Sequence, residues 1–272
     1  MDTEKAREEI DYLFGEDWFD TVLEPKFFEM FSLEQQVELA KNWSVPGKTF
    51  FFRDDLVNAV LDNIVIPSFA NNHYKIASIG CSDGREVYSF LIKNWHNRNN
   101  FEISGFDSNL DSIETAKNGQ GKTYATKDYE IRDWEAFGAK DKAYTIKDTR
   151  DYDWKSVIMT DEAKKHVSFN FHNIADSPLQ KKYDVIILKN VLYYYTPEGR
   201  EKILNNVNKS MVDGAWLLCE SFDSCRYEEY HTFMKDISSL GFVKQTTVVP
   251  WWHNPADDMS SFSKVYRKIT KQ

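Results

Sequence analysis

From Ile76 onward the apolar positions fall into short runs that alternate with amphipathic stretches. The runs Ile76–Ile79, Ile103–Phe106, Val167–Phe171, Val185–Leu188, Ala215–Cys219, Lys244–Val249 and Ser263–Arg267 have the length and composition of strands. Between them, Glu86–Trp95, Leu110–Asn118, Glu198–Met211 and Tyr227–Leu240 carry apolar residues at helical spacing. Strand and helix in alternation predict an α/β fold with a doubly wound, mostly parallel sheet of seven strands. The last two strands are expected to form an antiparallel hairpin. Upstream, Asp54–Ile66 presents Leu56, Val57, Val60, Leu61 and Ile64 on one helical face, and another helix runs from Ser32 to about Trp43 before Pro46-Gly47 breaks it. Residues 119–165 interrupt the rhythm with a long, polar and aromatic stretch. It offers one extra strand at Tyr144-Thr-Ile-Lys and a helical turn at Thr160–Lys165, and reads as an insertion or small subdomain packed on one edge. The chain thus divides into a helical segment, 1–48, and a larger domain, 49–272.

The segment Lys75-Ile-Ala-Ser-Ile-Gly80-Cys-Ser-Asp-Gly84-Arg-Glu86 carries the strongest chemical signal. It reads as an apolar strand, a glycine turn and the start of a helix, and the next strand ends on Asp107. Glycines let the backbone approach a ligand because no Cβ intervenes. An acid at the end of the second strand is placed to accept ribose hydroxyls, so the unit suits an adenosine-containing cofactor. The spacing Gly80-x-x-x-Gly84 lacks the third glycine of G-x-G-x-x-G, which disfavours NAD and FAD. The Gly-Lys-Thr triplets at Gly47 and Gly121 lack the upstream glycine of a phosphate loop. S-adenosylmethionine, which has a ribose and no phosphate, fits the looser turn. Gly80-Cys-Ser82-Asp-Gly84 also spells the nucleophile elbow of serine hydrolases, but no oxyanion loop precedes it; Ser82 is expected to cap the following helix instead. Structural alternatives stand beside the ligand readings. Glu86 fits a first-turn helix acid, and Asn173 and Asn190 fit turns. Asp107 has the weakest structural alternative, since an acid ending a strand is expected to gain little there.

Composition narrows the classes further. The 272 residues are 42% apolar and 15% aromatic, enough for a sizeable core. The net charge of −9 argues against general nucleic-acid binding. Most of that excess lies in residues 1–48, where twelve acids face five bases. Cys81, Cys219 and Cys225 have neither disulfide nor metal spacing, the six histidines show no ligand motif, and no metal is expected. The charged start is unlike a signal peptide, and no apolar run reaches the ~20 residues of a membrane helix. A cytoplasmic location without membrane insertion is the expectation.

Four local motifs, in order, carry a resemblance: Thr49-Phe-Phe-Phe-Arg53-Asp54, Gly80-Cys-Ser-Asp-Gly84-Arg-Glu86-Val-Tyr88-Ser89, Phe171-His172-Asn173-Ile174 and Lys189-Asn190-Val191-Leu-Tyr-Tyr194. Together, over about Pro46 to Leu218, the chain resembles the CheR-type chemotaxis receptor methyltransferases. These move a methyl group from S-adenosylmethionine to receptor glutamates and leave S-adenosylhomocysteine. The resemblance implies the class I, Rossmann-like methyltransferase fold. It implies that Thr49 and Arg53 reach over the cofactor, that Gly80, Gly84 and Glu86 hold its methionine part with Glu86 on the amino group, and that Asp107 binds the ribose. Asn173, Ile174, Asn190 and Val191 would frame the adenine and the strand ends. Arg53 and Tyr194 would sit near the transferring methyl as the catalytic pair.

The chemistry is reasonable on its own terms. A glutamate carboxylate, with an ordinary pKa of about 4.3, is ionised at neutral pH and needs no general base. The enzyme has to desolvate and aim it, and an arginine fork can grip it. Departures from the family concern the partner more than the chemistry. Gly47 stands where asparagine is usual, Lys189 where arginine is usual before Asn190, and Glu220-Ser221-Phe222 where His-Ser-Glu is common. The family's N-terminal domain is longer and basic, whereas 1–48 here is acidic, so docking on acidic receptor helices by the same electrostatics is not expected. A protein acceptor with glutamate sites is the leading expectation. A small-molecule or other acceptor and a non-catalytic cofactor-binding regulatory module are the alternatives.

Overall fold

The computed structural model describes residues 61–70, 72–124, 137–148, 154–189, 191–192, 195–219, 237, 239–244 and 264–269. Two helical turns, Leu61–Val65 and Ile66–Phe69, lead into β1 (Tyr74–Ile79). Then come α1 (Arg85–Lys93), a short turn at Trp95–Asn100, β2 (Phe101–Asp107) and α2 (Leu110–Asn118). Next are β3 (Gln120–Tyr124), β4 (Tyr144–Asp148), β5 (Trp154–Met159), α3 (Asp161–Lys164) and β6 (Val167–Phe171). The chain continues through β7 (Tyr183–Leu188), α4 (Pro197–Lys209), β8 (Met211–Cys219), β9 (Phe242–Lys244) and β10 (Lys264–Lys268).

Seven strands form one sheet in the order β6-β2-β1-β7-β8-β10-β9. The first five are parallel, and β10 runs antiparallel to both β8 and β9. This is the doubly wound α/β architecture that the alternation of patterns predicts, with its antiparallel end. The strands are apolar on both faces because each face is covered. Ile76, Ile103, Val185, Ile187, Leu218 and Val265 share one cluster with Val87 and Leu91 of α1 and Ile113 of α2. Ala77, Ile79, Phe106, Ile186, Leu188, Leu217 and Tyr266 share the other with Ile203, Leu204 and Val207 of α4. The period of two along each strand sends neighbours to opposite cores. Each fully buried leucine or isoleucine stabilises the sheet by about 1.5–3 kcal/mol. The strand order reverses about β1, with β2 on one side and β7 on the other, which opens a crevice beyond their carboxyl ends.

Several boundaries differ from the sequence reading. Helix α4 starts at Pro197 because Thr196 caps it, its Oγ1 accepting the Gly199 N–H at 3.2 Å with proline in the first turn. It ends at Lys209, and β8 begins at once with Met211, which is fully buried and pairs with Tyr183. The pattern reading started that strand at Ala215. In the fold, Gly214 sits inside the strand at φ +74°. β9 begins at Phe242, two residues before the expected start, and β10 covers Lys264–Lys268. The insertion is richer than expected. β3, β5 and β4 form a separate three-stranded antiparallel sheet, with the expected Tyr144 strand at one edge. Lys122, Lys147 and Lys155 lie within these strands, so the apolar alternation that marks a strand is diluted. Among the described residues no helix is long and apolar enough to cross a membrane, and no His/Cys/Asp/Glu group could hold a metal ion. The helix expected at Ser32–Trp43 lies outside the described residues, as do residues 54–60 of the one expected at Asp54–Ile66, whose end falls in the two helical turns from Leu61.

Candidate active site

The turn after β1 is bound to the end of β2 by main-chain hydrogen bonds. The N–H groups of Gly80 and Cys81 both donate to the Phe106 carbonyl, at 2.8 and 3.1 Å. Gly80 has φ +73°, and a Cβ there would overlap the Val191 Cγ2 methyl. Gly84 has φ +80° and precedes α1 as its N-cap residue. A Cβ on it would come within 2.7 Å of the Phe169 ring and 2.9 Å of Ala116 Cβ. Both glycines are therefore required by backbone conformation and by a close neighbour at once. Ser82 does not hold the cap position of α1, which belongs to Gly84. Ser82 is held at φ +49° with its N–H donated to Asp107.

Asp107 ties three strand ends together. Its Oδ2 accepts the Ser82 N–H at 2.7 Å, its Oδ1 accepts the Asn109 N–H at 2.9 Å, and its carbonyl accepts the His172 N–H at 2.9 Å. The residue is 6% exposed. The sequence reading gave an acid at this place little structural work, and the hydrogen bonds correct that.

Glu86 lies in the first turn of α1, and its Oε1 accepts a hydrogen bond from Ser78 Oγ at 2.7 Å. Ser78 is fully buried within apolar β1. The cysteine between the glycines senses the charge around it. Burial first, then the carboxylates of Asp107, Glu86 and Asp83, push the Cys81 thiol well above its ordinary pKa. Arg85 pairs with Asp83 and offsets one of the three charges. The turn therefore lies in a negative field, which disfavours a phosphorylated ligand and suits one carrying ammonium and sulfonium groups.

Beyond β7, Val191 packs on Gly80 and on the second core, and Leu192 is fully buried. The Leu192 carbonyl accepts from the Tyr195 N–H at 3.1 Å and from Arg200 Nε–H at 2.9 Å. The Tyr195 phenol is pushed far above its ordinary pKa, by burial first and then by Asp107 and Asp176. After β6, Asn173 Oδ1 accepts the Ala175 N–H at 3.0 Å, and its carbonyl accepts the Asp176 N–H at 3.1 Å. Asn173 is thus a turn residue that also lies next to the crevice. Ile174 is 4% exposed with its side chain in the second core, and its carbonyl accepts from Asn206 Nδ2 at 2.8 Å.

The family model for the S-adenosylmethionine-binding domain of CheR methyltransferases matches residues 47–235. The chain belongs to the CheR methyltransferase family. Its cofactor is S-adenosylmethionine. A chemotaxis protein methyltransferase of Vibrio parahaemolyticus is 27% identical over 188 residues, 65% of this chain and 65% of that protein. One from Borreliella burgdorferi is 26% identical over 207 residues, 71% of this chain and 69% of that protein. The matched region thus spans just under two thirds of the Vibrio protein's length. Among solved structures, a TehB-like S-adenosylmethionine-dependent methyltransferase from Corynebacterium glutamicum has a TM-score of 0.48 at 16% identity, covering 86% of this chain and 97% of that one.

Set on this CheR-family fold, the candidate residues divide into two groups. The structure brings Gly80, Gly84, Glu86, Asp107, Asn173, Ile174 and Val191 to the carboxyl ends of β1, β2, β6 and β7. Thr49, Arg53, Asn190 and Tyr194 lie outside the described residues. Sequence reasoning missed Ser78, Tyr195 and Arg200. A lone hydroxyl inside the apolar β1 run was the available signal for Ser78. Nothing in Tyr193-Tyr194-Tyr195 distinguishes the tyrosine whose phenol senses Asp107.

Proposed function

We propose that this chain catalyses methyl-ester formation on carboxylates, with glutamate side chains of a chemoreceptor-like protein as the acceptor. The observation that carries the reading is the family match over 47–235, together with curated relatives that are chemotaxis protein methyltransferases. Bound S-adenosylmethionine supplies a methyl group on a sulfonium. An ionised acceptor carboxylate would take that methyl, and the electron pair of the broken carbon–sulfur bond would stay on sulfur as the neutral thioether. No proton moves, so no general base is required.

The chain's part is positioning and charge. Glu86, which accepts a hydrogen bond from Ser78, is suited to the cofactor's ammonium group, and Asp107, at the end of β2, to the ribose hydroxyls. Their negative field favours a cationic cofactor before transfer over its sulfur-neutral product afterwards. Arg53 and Tyr194 are proposed to orient the acceptor carboxylate beside the methyl, Arg53 through its planar fork.

A second acceptor class, small acids, is favoured by one observation: residues 1–48 are strongly acidic and would repel acidic receptor helices. The deciding experiment is methyl transfer from labelled S-adenosylmethionine into an extract of the host cell, followed by alkali and collection of volatile methanol. Alkali-labile label in a protein band supports the proposed activity. Label in small molecules supports the second class. Label that survives alkali overturns the carboxylate reading.

A further inference from the structure

Arg200 stands out among the charged residues. It is 5% exposed and sits in the opening turns of α4, close to the helix end where the peptide dipoles already disfavour a cation. Burying a guanidinium there is costly unless its donors are used in a fixed way. One use is plain. Arg200 Nε–H donates at 2.9 Å to the carbonyl of Leu192, a residue of the segment that joins β7 to α4. The same carbonyl takes the Tyr195 N–H, so two bonds converge on it. One residue earlier, Val191 fills the space that the missing Cβ of Gly80 leaves. A continuous set of contacts therefore runs from Arg200 through Leu192 and Val191 to the glycine turn.

We infer that Arg200 is a positioning residue for cofactor binding: it fixes the segment after β7 so that Val191 holds the Gly80 turn in its ligand-ready conformation. The inference rests on the methyltransferase reading of this site. Arg200 itself touches no reacting atom. Its influence passes through the Leu192 carbonyl, and the donor position matters more than the charge. Glutamine makes this distinction testable. Its side-chain amide nitrogen lies at the same number of bonds from Cβ as the arginine Nε, so it can restore the donor without the charge. Methionine fills similar volume with no donor.

The test is the affinity for S-adenosylhomocysteine, by calorimetry on the full chain, with the melting temperature of each variant recorded. Arg200→Met is expected to weaken binding about tenfold or more, and Arg200→Gln to stay within about threefold of the wild type. Ile203→Val, a fully buried change on the same helix, is expected to lower the melting temperature and leave affinity unchanged. Wild-type affinity in Arg200→Met overturns the inference. So does equal weakening in Ile203→Val at a matched loss of melting temperature, because the effect would then be general stability. If Arg200→Met does not fold, Val191→Ala severs the same path at its far end, and unchanged affinity there overturns the inference. Failure of the wild type to bind S-adenosylhomocysteine would instead strike the cofactor reading beneath it.

Discussion

The main-chain N–H of Ser82 donates to Asp107 Oδ2 at 2.7 Å, which joins the glycine turn after β1 to the acid that ends β2. The bond makes the candidate ribose acceptor part of the turn's own scaffold. On the proposed reading, ligand binding and local stability are coupled at one carboxylate.

Replacing Asp107 should show both effects. Asp107→Ala removes the acceptor for two part-buried N–H groups, each costing up to about 1–3 kcal/mol when left unpaired. Chemical denaturation should show the loss, and S-adenosylhomocysteine affinity should fall at least tenfold. Asp107→Asn, which keeps one acceptor oxygen, should recover part of the stability and little of the affinity. A variant as stable as the wild type would contradict the structural role.

Ser78→Ala leaves the Glu86 carboxylate without the hydroxyl at 2.7 Å. A hydrogen bond to a charged group is worth about 1.5–3 kcal/mol. The change is expected to weaken cofactor binding severalfold by removing a bond that helps orient Glu86. Ser78→Thr keeps the donor but adds a methyl to a fully buried site, so stability should fall more than affinity. Unaltered affinity in Ser78→Ala would remove Ser78 from the site.

Gly80→Ala combines a φ of +73° with an overlap on Val191. The conformational part costs about 1–2 kcal/mol, and the overlap adds to it. The double variant Gly80→Ala/Val191→Ala should recover the steric part alone, measurable as non-additivity in a double-mutant cycle. Additive losses would mean that the two residues do not meet.

Alkaline pH should destabilise the fold through buried phenols. Burial, with a smaller contribution from Asp62, raises Tyr74 from 10.0 to about 12. Tyr183 is raised as well, again chiefly by burial. A raised pKa means that the folded state keeps a proton which the unfolded chain releases. The stabilisation is thus complete below pH 10 and is lost as pH rises toward about 12. Ultraviolet titration of the native protein should show these phenols ionising late. Tyr74→Phe should flatten the alkaline fall in melting temperature. An equal fall in that variant would assign the effect elsewhere.

The strands of the main sheet were legible because both their faces are buried, so β1, β2, β7 and β8 read as short apolar runs. Gly80, Gly84, Glu86 and Asp107 were legible because a glycine turn and a strand-end acid are local features. The second sheet was mostly hidden, since lysines interrupt β3, β4 and β5. Ser82 was misread as a cap because capping preferences are local. Its actual bond runs to a residue 25 positions away.

Local pattern by itself determined the α/β class, the strand–turn–helix unit and the glycines and acids at the strand ends, because helix period, strand period and glycine backbone freedom act over a few residues. Tertiary structure alone decided that Asp107 carries the turn, that Ser78 steadies Glu86, that Val191 completes Gly80 and that Arg200 reaches the segment after β7. Each of those pairings joins positions that meet only when the sheet is assembled, and a hydrogen bond or a packed methyl acts only over the few ångströms that assembly closes.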